Sequence, residues 1–320
     1  MRTIVKSAAF AAVLAAASVA VAQEKVTISI ATGPTGGVYY PLGGGIANVL
    51  SKYVPGYAAN AESTAGSVAN IQLMNQRKSD IALSMADAAW DGFKGQGKFQ
   101  GGNVPLRALM VAYPNRMHVV TVEGTGINKF ADLKGKRVST GAPNSATELM
   151  AARVLEAMGL SADDFKRERL DPGKSVDAIK DKKLDAFFWV GGIPTSSVTD
   201  LGASPGMKLK LVDHADAVDG MNKKYGPLYV RDTIAPKSYP GQEQPNQVAT
   251  VWNIIIARAD MPDQVAYNIV KTIFEKRDDL ILVHKEAQNF DLKHQSAAAA
   301  SIPYHPGAAK YFAERGVKLQ

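Results

Sequence analysis

Short apolar runs recur along the chain, each broken off by a turn rich in glycine, serine or proline. Those at residues 26–30, 57–61 and 106–113 read as strands, and 81–85 as a short buried one. Further strands are expected at 118–122, 137–140 and 209–212, with a strongly apolar run at 248–257. Helical segments follow several of them: 46–53, 68–76, and a stretch from about 145 to Met158 that Gly159 terminates. Near the C-terminus, Asp260 with Pro262 in the first turn opens a helix to about Lys276. Another spans 278–286, and a last one at 306–315 stops at Gly316. Residues 225–232 read as a loop or an irregular strand.

The order of these pieces repeats. Residues 26–53 and 137–158 each give a strand, a small-residue turn and a helix. Later in each half a basic helix end, an aspartate and a buried strand follow one another. They are Arg77-Lys78-Ser79-Asp80-Ile81-Ala82-Leu83-Ser84 in the first half and Lys182-Lys183-Leu184-Asp185-Ala186-Phe187-Phe188-Trp189 in the second. This symmetry predicts an α/β fold of two similar lobes facing across a cleft. The chain is expected to cross near residues 113–119, with a first lobe of 23–115 and 240–320 and a second of 116–239. Ligands of such sheets sit beyond the carboxyl ends of strands, where these turns lie.

Composition narrows the class. The 320 residues suffice for two domains, and 46% hydrophobic with 21% charged residues marks a globular chain. Residues 1–22 combine Arg2 and Lys6, a small apolar core from Ala8 to Ala20 and the A-x-A site Ala20-Val21-Ala22, the pattern of a secretory signal peptide. The mature chain is expected to begin at Gln23 and to reside in the periplasm as a monomer. With no cysteine, the chain has no disulfide, thiolate metal site or lipid-modified cysteine. The formal net charge is +7, and no basic block interleaves with aromatics, so nucleic acid is not an expected partner. A modest positive field suits the steering of small anions. His118, His214, His284, His294 and His305 fall in no H-E-x-x-H, and there is no G-x-S-x-G elbow. Asp163-Asp164 and Asp278-Asp279 read as solvated helix ends. No metal, cofactor or catalysis is expected.

The stretch with most to offer a ligand is residues 31–45, A-T-G-P-T-G-G-V-Y-Y-P-L-G-G-G. Gly33, Gly36 and Gly37 let a ligand approach the backbone closely, and the first amides of a following helix favour an anion. Thr32 and Thr35 add hydroxyls, Tyr39 and Tyr40 aromatic faces with polar tips. Neither the G-x-x-x-x-G-K-[ST] nor the G-x-G-x-x-G spacing is present, so taken alone this glycine-rich turn reads as a tight strand-to-helix turn with ordinary capping. S-T-A-G-S at 63–67 opens a second such helix, and Ser84 and Asp87 fall at or just past a strand end. Asn144, Ser145 and Thr147 open the helix of the second half. Ser145 and Glu148 have capping-box spacing, so local capping is the plain reading of both.

T-G-G-x-Y-Y-P-L-G-G-G, with I-P-Y-H-P at 302–306, resembles the TAXI-type solute receptors of TRAP transporters. The resemblance implies a two-lobed periplasmic-binding-protein fold, type II-like, with the ligand cleft between the lobes. It implies capture of a small carboxylate, glutamate- or 2-oxoglutarate-like, and its delivery to a TRAP permease driven by an ion gradient. At Ser84-Met85 this chain departs from relatives that often carry a longer polar residue, which leaves side-chain specificity open. The expected ligand set is Thr35, Gly36, Gly37, Tyr39, Tyr40, Thr64, Gly66, Ser67, Ser84 and Asp87 from the first lobe and Asn144, Ser145, Thr147, Trp189 and Gly191 from the second. Two other readings stand beside this one. One is a binding protein serving an ABC transporter or a sensor kinase. The other is a periplasmic enzyme holding a phosphate on the glycine-rich turn.

Overall fold

A computed structural model describes residues 25–319; the signal-peptide reading of residues 1–22 and the Gln23 start lie outside them. The strands are β1 (Val26–Ala31), β2 (Tyr57–Glu62), β3 (Ile81–Met85), β4 (Leu106–Val122), β5 (Arg137–Ser139), β6 (Lys166–Glu168), β7 (Ala186–Gly191), β8 (Leu209–Leu211), β9 (Tyr229–Ile234) and β10 (Asn246–Arg258). They form one sheet in the order β2-β1-β3-β10-β4-β7-β5-β6, with β8 on β4 and β9 on β10. Interleaved are α1 (Tyr39–Tyr53), α2 (Ser67–Asn75), α3 (Ala86–Lys94), α4 (Ala146–Ala157), α5 (Pro172–Lys180), α6 (Ser196–Ala203) and α7 (Ala217–Tyr225). The C-terminal helices are α8 (Asp263–Glu275), α9 (Arg277–Val283), α10 (Ala297–Ala300) and α11 (Pro306–Glu314).

Two long strands join the halves. The first part of β4 pairs with β10, and from Arg116 to Thr121 β4 pairs with β7. β10 pairs with β9 over Asn246–Val251 and with β3 over Asn253–Ala257. Residues 106–113 and 118–122, expected as two strands, are therefore one strand of 17 residues. Pro114 does not break it, because it lies opposite Trp252 beside a register shift, where a missing N–H costs no regular ladder bond. Residue 240, the expected return point, lies in the connection before β10.

The repeat read from the sequence is present in atomic detail. Asp80 accepts from the backbone N–H of Ser29 on β1 at 2.8 Å, and Asp185 accepts from that of Arg137 on β5 at the same distance. Arg77 and Lys182, three residues before each aspartate, both take the left-handed conformation, φ 58° and 57°. Each half thus ends a helix, turns, and locks the next buried strand to its neighbour in the same way.

Helix α1 begins at Tyr39, seven residues before the expected start at Ile46, in spite of three consecutive glycines. Packing outweighs their poor propensity. A Cβ at Gly43 would lie 2.3 Å from Thr32 Cγ2, and one at Gly45 3.1 Å from Leu280 Cδ2, so these glycines let α1 sit close against its neighbours. In the first lobe α1, α8, α9 and α11 bury Leu42, Ile46, Ile269, Ile273, Leu280 and Phe312 against one face of the sheet. α2 and α3 cover the other face with Ile71, Met74 and Ala88. Helix α8 starts at Asp263, not after an Asp260 cap, since Asp260 pairs instead with Arg258 and Arg77.

His118 and His214 are buried in the second half, and burial pushes both down to about 4. His118 uses both ring nitrogens, on the Arg116 carbonyl and the Tyr239 hydroxyl, each at 2.9 Å. A base whose folded pKa is depressed contributes stability above its unfolded value, about 6.5, and loses it as pH falls toward the folded value. Stability should therefore fall between pH 6.5 and 4 with a slope approaching about 1.4 kcal/mol per pH unit for each histidine. Urea unfolding of wild type and His214→Phe across that range checks this, and a wild type that loses stability with acid no faster than the variant would refute it.

Candidate functional site

Beyond the ends of β3 and β7, a narrow cleft opens between the halves. The turn before α1 supplies Pro34, Gly37 and Val38, and α1 itself Tyr39. Ala65, Gly66 and Ser67 come from the start of α2, and Met85 from the end of β3. Tyr113 and Asn115 come from β4, Ser145, Ala146 and Thr147 from the start of α4, and Trp189, Val190 and Gly191 from the end of β7. Three helix N-termini, two from one half and one from the other, thus meet at one space. The first amides of a helix have no intrahelical acceptor and carry the positive end of its dipole. Neither α1 nor α2 has an acidic residue in its first turn. Glu148 in the first turn of α4 is drawn aside by Arg167 at 3.0 Å and Arg169 at 2.6 Å.

Of the residues expected from sequence, Gly37, Tyr39, Gly66, Ser67, Ser145, Thr147, Trp189 and Gly191 line this cleft. Thr35, Gly36, Tyr40, Thr64, Ser84, Asp87 and Asn144 are not among its walls. Thr35 is exposed in the turn, and Tyr40 is 39% exposed on α1. The Gly36 carbonyl accepts from Ser197 across the cleft mouth, at 3.3 Å from N and 3.2 Å from Oγ. Thr64 donates to Asn70 Oδ1 at 2.6 Å and accepts from Gly66 N at 3.0 Å, so it braces the start of α2. Ser84 donates to the Met85 carbonyl at 3.0 Å. Asn144 is left-handed, φ 61°, and its carbonyl accepts from Ala69 N at 3.0 Å, a bond between the halves. Asp87 accepts from Tyr229 at 2.8 Å and pairs with Arg153 at 3.2 Å, outside the cleft.

The hydroxyls that do line the cleft differ in what they have left to give. Ser145 donates to the Ala142 carbonyl at 2.7 Å and accepts from Glu148 N at 3.0 Å, so it is spent as the cap of α4. Ser67 accepts from Met85 N at 3.0 Å and, since Tyr39 spends its proton elsewhere, gives its own to the Tyr39 hydroxyl at 3.5 Å, whereas Thr147 accepts from Val190 N at 3.3 Å and keeps its proton for the cleft. Tyr39 gives its proton to Asn253 Oδ1. Trp189 donates Nε1–H to Thr195 Oγ1 at 2.9 Å, so it offers the cleft only its ring. Ser145→Ala should therefore lower stability by about 0.5–2 kcal/mol while changing ligand affinity less than twofold. Melting and calorimetry on the same variant check this; a tenfold affinity loss with unchanged melting would contradict it.

Tyr113 and Asn115 are cleft residues that sequence reading passed over. They were hidden at the end of an apolar run closed by Pro114, although Tyr113 and Asn115 stand two apart, the spacing of one strand face. Burial pushes the Tyr113 phenol well above its usual range. Every residue lining the cleft is uncharged, and none is a histidine. Among the described residues there is no group of three or more His, Asp or Glu able to hold a metal ion.

An α/β sheet with a curled, two-lobed course and a cleft between the halves is the periplasmic-binding-protein fold. The chain is similar in fold to a protein from Bordetella bronchiseptica RB50, with TM-score 0.53 and 17% identity over 90% of this chain and 89% of that one. A putative L-cystine ABC transporter protein from Listeria monocytogenes gives TM-score 0.50 and 16% identity over 82% and 95%. The periplasmic aliphatic sulphonate binding protein of Escherichia coli gives 0.49 and 14% over 90% and 82%. The chain belongs to the NMT1-like family, whose model matches residues 30–316. That membership and the fold are coarser than the TAXI type read from T-G-G-x-Y-Y-P-L-G-G-G.

Proposed function

We propose that the protein is an extracytoplasmic solute receptor that captures a small carboxylate between its lobes and hands it to a membrane permease. The observation that carries this reading is the meeting of three helix N-termini, from both halves, on one cleft walled by uncharged residues. Charge-assisted bonds from such amides to a carboxylate contribute about 1.5–3 kcal/mol each, and they release the ligand without chemistry. The glycine-rich turn as a phosphate holder in an enzyme has less support, since no cleft residue pairs a nucleophile with a base. The sequence at residues 1–22 supports export, with the mature chain soluble and starting at Gln23.

The permease class has two readings. The ABC reading draws on the likeness to the Listeria protein, a putative L-cystine ABC transporter. The TRAP reading draws on the opening motif alone. Uptake in cells carrying the receptor with its own permease separates them: ABC uptake stops when ATP is depleted with the ion gradient intact, and TRAP uptake stops when the gradient is collapsed.

Closure about β4 and β10 is part of the proposal, with the pivot at Pro114 and Trp252. In solution, small-angle scattering should give a smaller radius of gyration when saturating carboxylate is added to ligand-free protein. An unchanged radius, with binding shown by calorimetry, would sink the hinge.

A further inference from the structure

We infer that the ligand is a monocarboxylate whose body is apolar except for one uncharged oxygen, a carbonyl or a hydroxyl, and that Tyr113 and Asn115 read that oxygen. The inference rests on the receptor reading above and narrows it, away from the amino-acid and dicarboxylate ligands implied by resemblance.

Both side chains line the cleft from β4, the strand shared by the two halves. Tyr113 is 0% exposed and Asn115 2%. The Tyr113 hydroxyl and Asn115 Oδ1 nevertheless have no hydrogen-bond partner. Buried polar atoms are nearly always paired, and an exception calls for an occupant that completes it. A phenol O–H donates to a carbonyl or a hydroxyl oxygen. A primary amide donates or accepts according to which of its two ends faces the site, and the network sets that choice. The pair therefore suits one neutral oxygen.

Charge argues the same way. An ammonium in the cleft would meet no carboxylate on its walls. The acids nearest by are already engaged. Asp87 is held by Arg153 and Tyr229. Glu286 accepts from Ile193 N and from Asn289 Nδ2, both at 2.6 Å, with Arg116 at 3.7 Å. Burying a cation without a partner is among the costliest things a site can do. A second carboxylate would have to share the helix amides with the first, since no Lys or Arg reaches the cleft. Val38, Met85, Val190 and the Trp189 ring complete an apolar wall.

The test is calorimetry at pH 7 on ligand-free mature protein. The probes are 2-oxo and 2-hydroxy acids with side chains from methyl to isobutyl, their 2-amino counterparts, unsubstituted acids of the same length, and 2-oxoglutarate. The best oxo or hydroxy acid should bind at least tenfold tighter than its amino and unsubstituted counterparts and than 2-oxoglutarate. In Tyr113→Phe, its preference over the unsubstituted acid should fall by roughly 5- to 150-fold. The ligand-free melting temperature of that variant should hold or rise, because an unpaired buried hydroxyl is removed. Equal or tighter binding of an amino acid or of 2-oxoglutarate overturns the inference, as does a Tyr113→Phe protein that keeps the preference. Absence of binding by every carboxylate overturns the receptor reading itself.

Discussion

Replacing Arg153 by alanine is expected to cost about 3–5 kcal/mol of stability at pH 7, the largest effect of any single substitution considered. Arg153 on α4 reaches across to α3, where it meets Asp87 at 3.2 Å and Asp91, and it donates to Tyr229 on β9 at 2.6 Å. All three charged side chains are buried, at 6% exposure or less. Burial works against the arginine's charge, yet Asp87, Tyr229 and Asp91 hold it charged well above its usual range. Burial also pushes the Asp91 carboxyl up to about 6, against the pull of Arg153. Removing the arginine leaves two acids out of water with no counter-charge, which is what makes breaking such a cluster costly. An acid whose folded pKa is raised binds its proton more readily folded than unfolded, so the folded state gains as pH falls through about 6 toward 4. The Arg153→Ala defect should accordingly shrink between pH 7 and 5. Combining Arg153→Met with Asp87→Asn and Asp91→Asn should recover most of the loss. Urea unfolding of the set measures this; a loss under 1 kcal/mol for Arg153→Ala would show that the cluster is not a structural tie between the halves.

Gly37→Ala acts on affinity instead. Gly37 lies in the turn before α1 and faces Trp189 of the other half. A Cβ there would stand 2.9 Å from Trp189 Cη2 and 3.1 Å from Cζ2. The indole cannot swing away freely, because Nε1–H is tied to Thr195, which in turn donates to the Gly192 carbonyl at 2.8 Å. Gly37 does not need a left-handed backbone, so alanine adds a methyl wedge between the lobes at the smaller cost of a tight 3.3 Å approach to the Pro34 carbonyl of its own turn. Overpacking of this kind costs about 1–3 kcal/mol, and under the proposed closure that cost falls on the closed form. Ligand affinity should drop roughly 5- to 150-fold with the ligand-free melting temperature within about 2 °C of wild type. Equal affinity in calorimetry would mean that the lobes do not need this contact to hold ligand.

The strands and the repeat were legible because they rest on local signals. β3 is a bounded apolar run, and Asp80 and Asp185 follow basic helix ends in the same order in both halves. The α4 cap was legible too, since Ser145 and Glu148 stand at capping distance in sequence, although Glu148 reaches Asn144 N at 3.3 Å. Long-range partnerships were not legible. Nothing near Asp87 announces Arg153, 66 positions away, so a buried acid past a strand end read as a ligand contact. Thr64 and Ser84 are different cases, since each hydroxyl bonds close by in the chain, to Asn70 and to the Met85 carbonyl, where local bracing and ligand contact look alike in sequence. Tyr113 and Asn115 were missed because Pro114 suggested the end of a strand, whereas the strand continues through it into the second half.

The measurement that tests the account most directly is mass spectrometry of small molecules released on unfolding from gently purified protein, with wild type and Gly37→Ala prepared side by side. The account predicts near-stoichiometric release of one small carboxylate from wild type and markedly less from Gly37→Ala. Release of no small molecule from either protein, while a panel of carboxylates also fails to bind, would contradict it, and so would equal release from both.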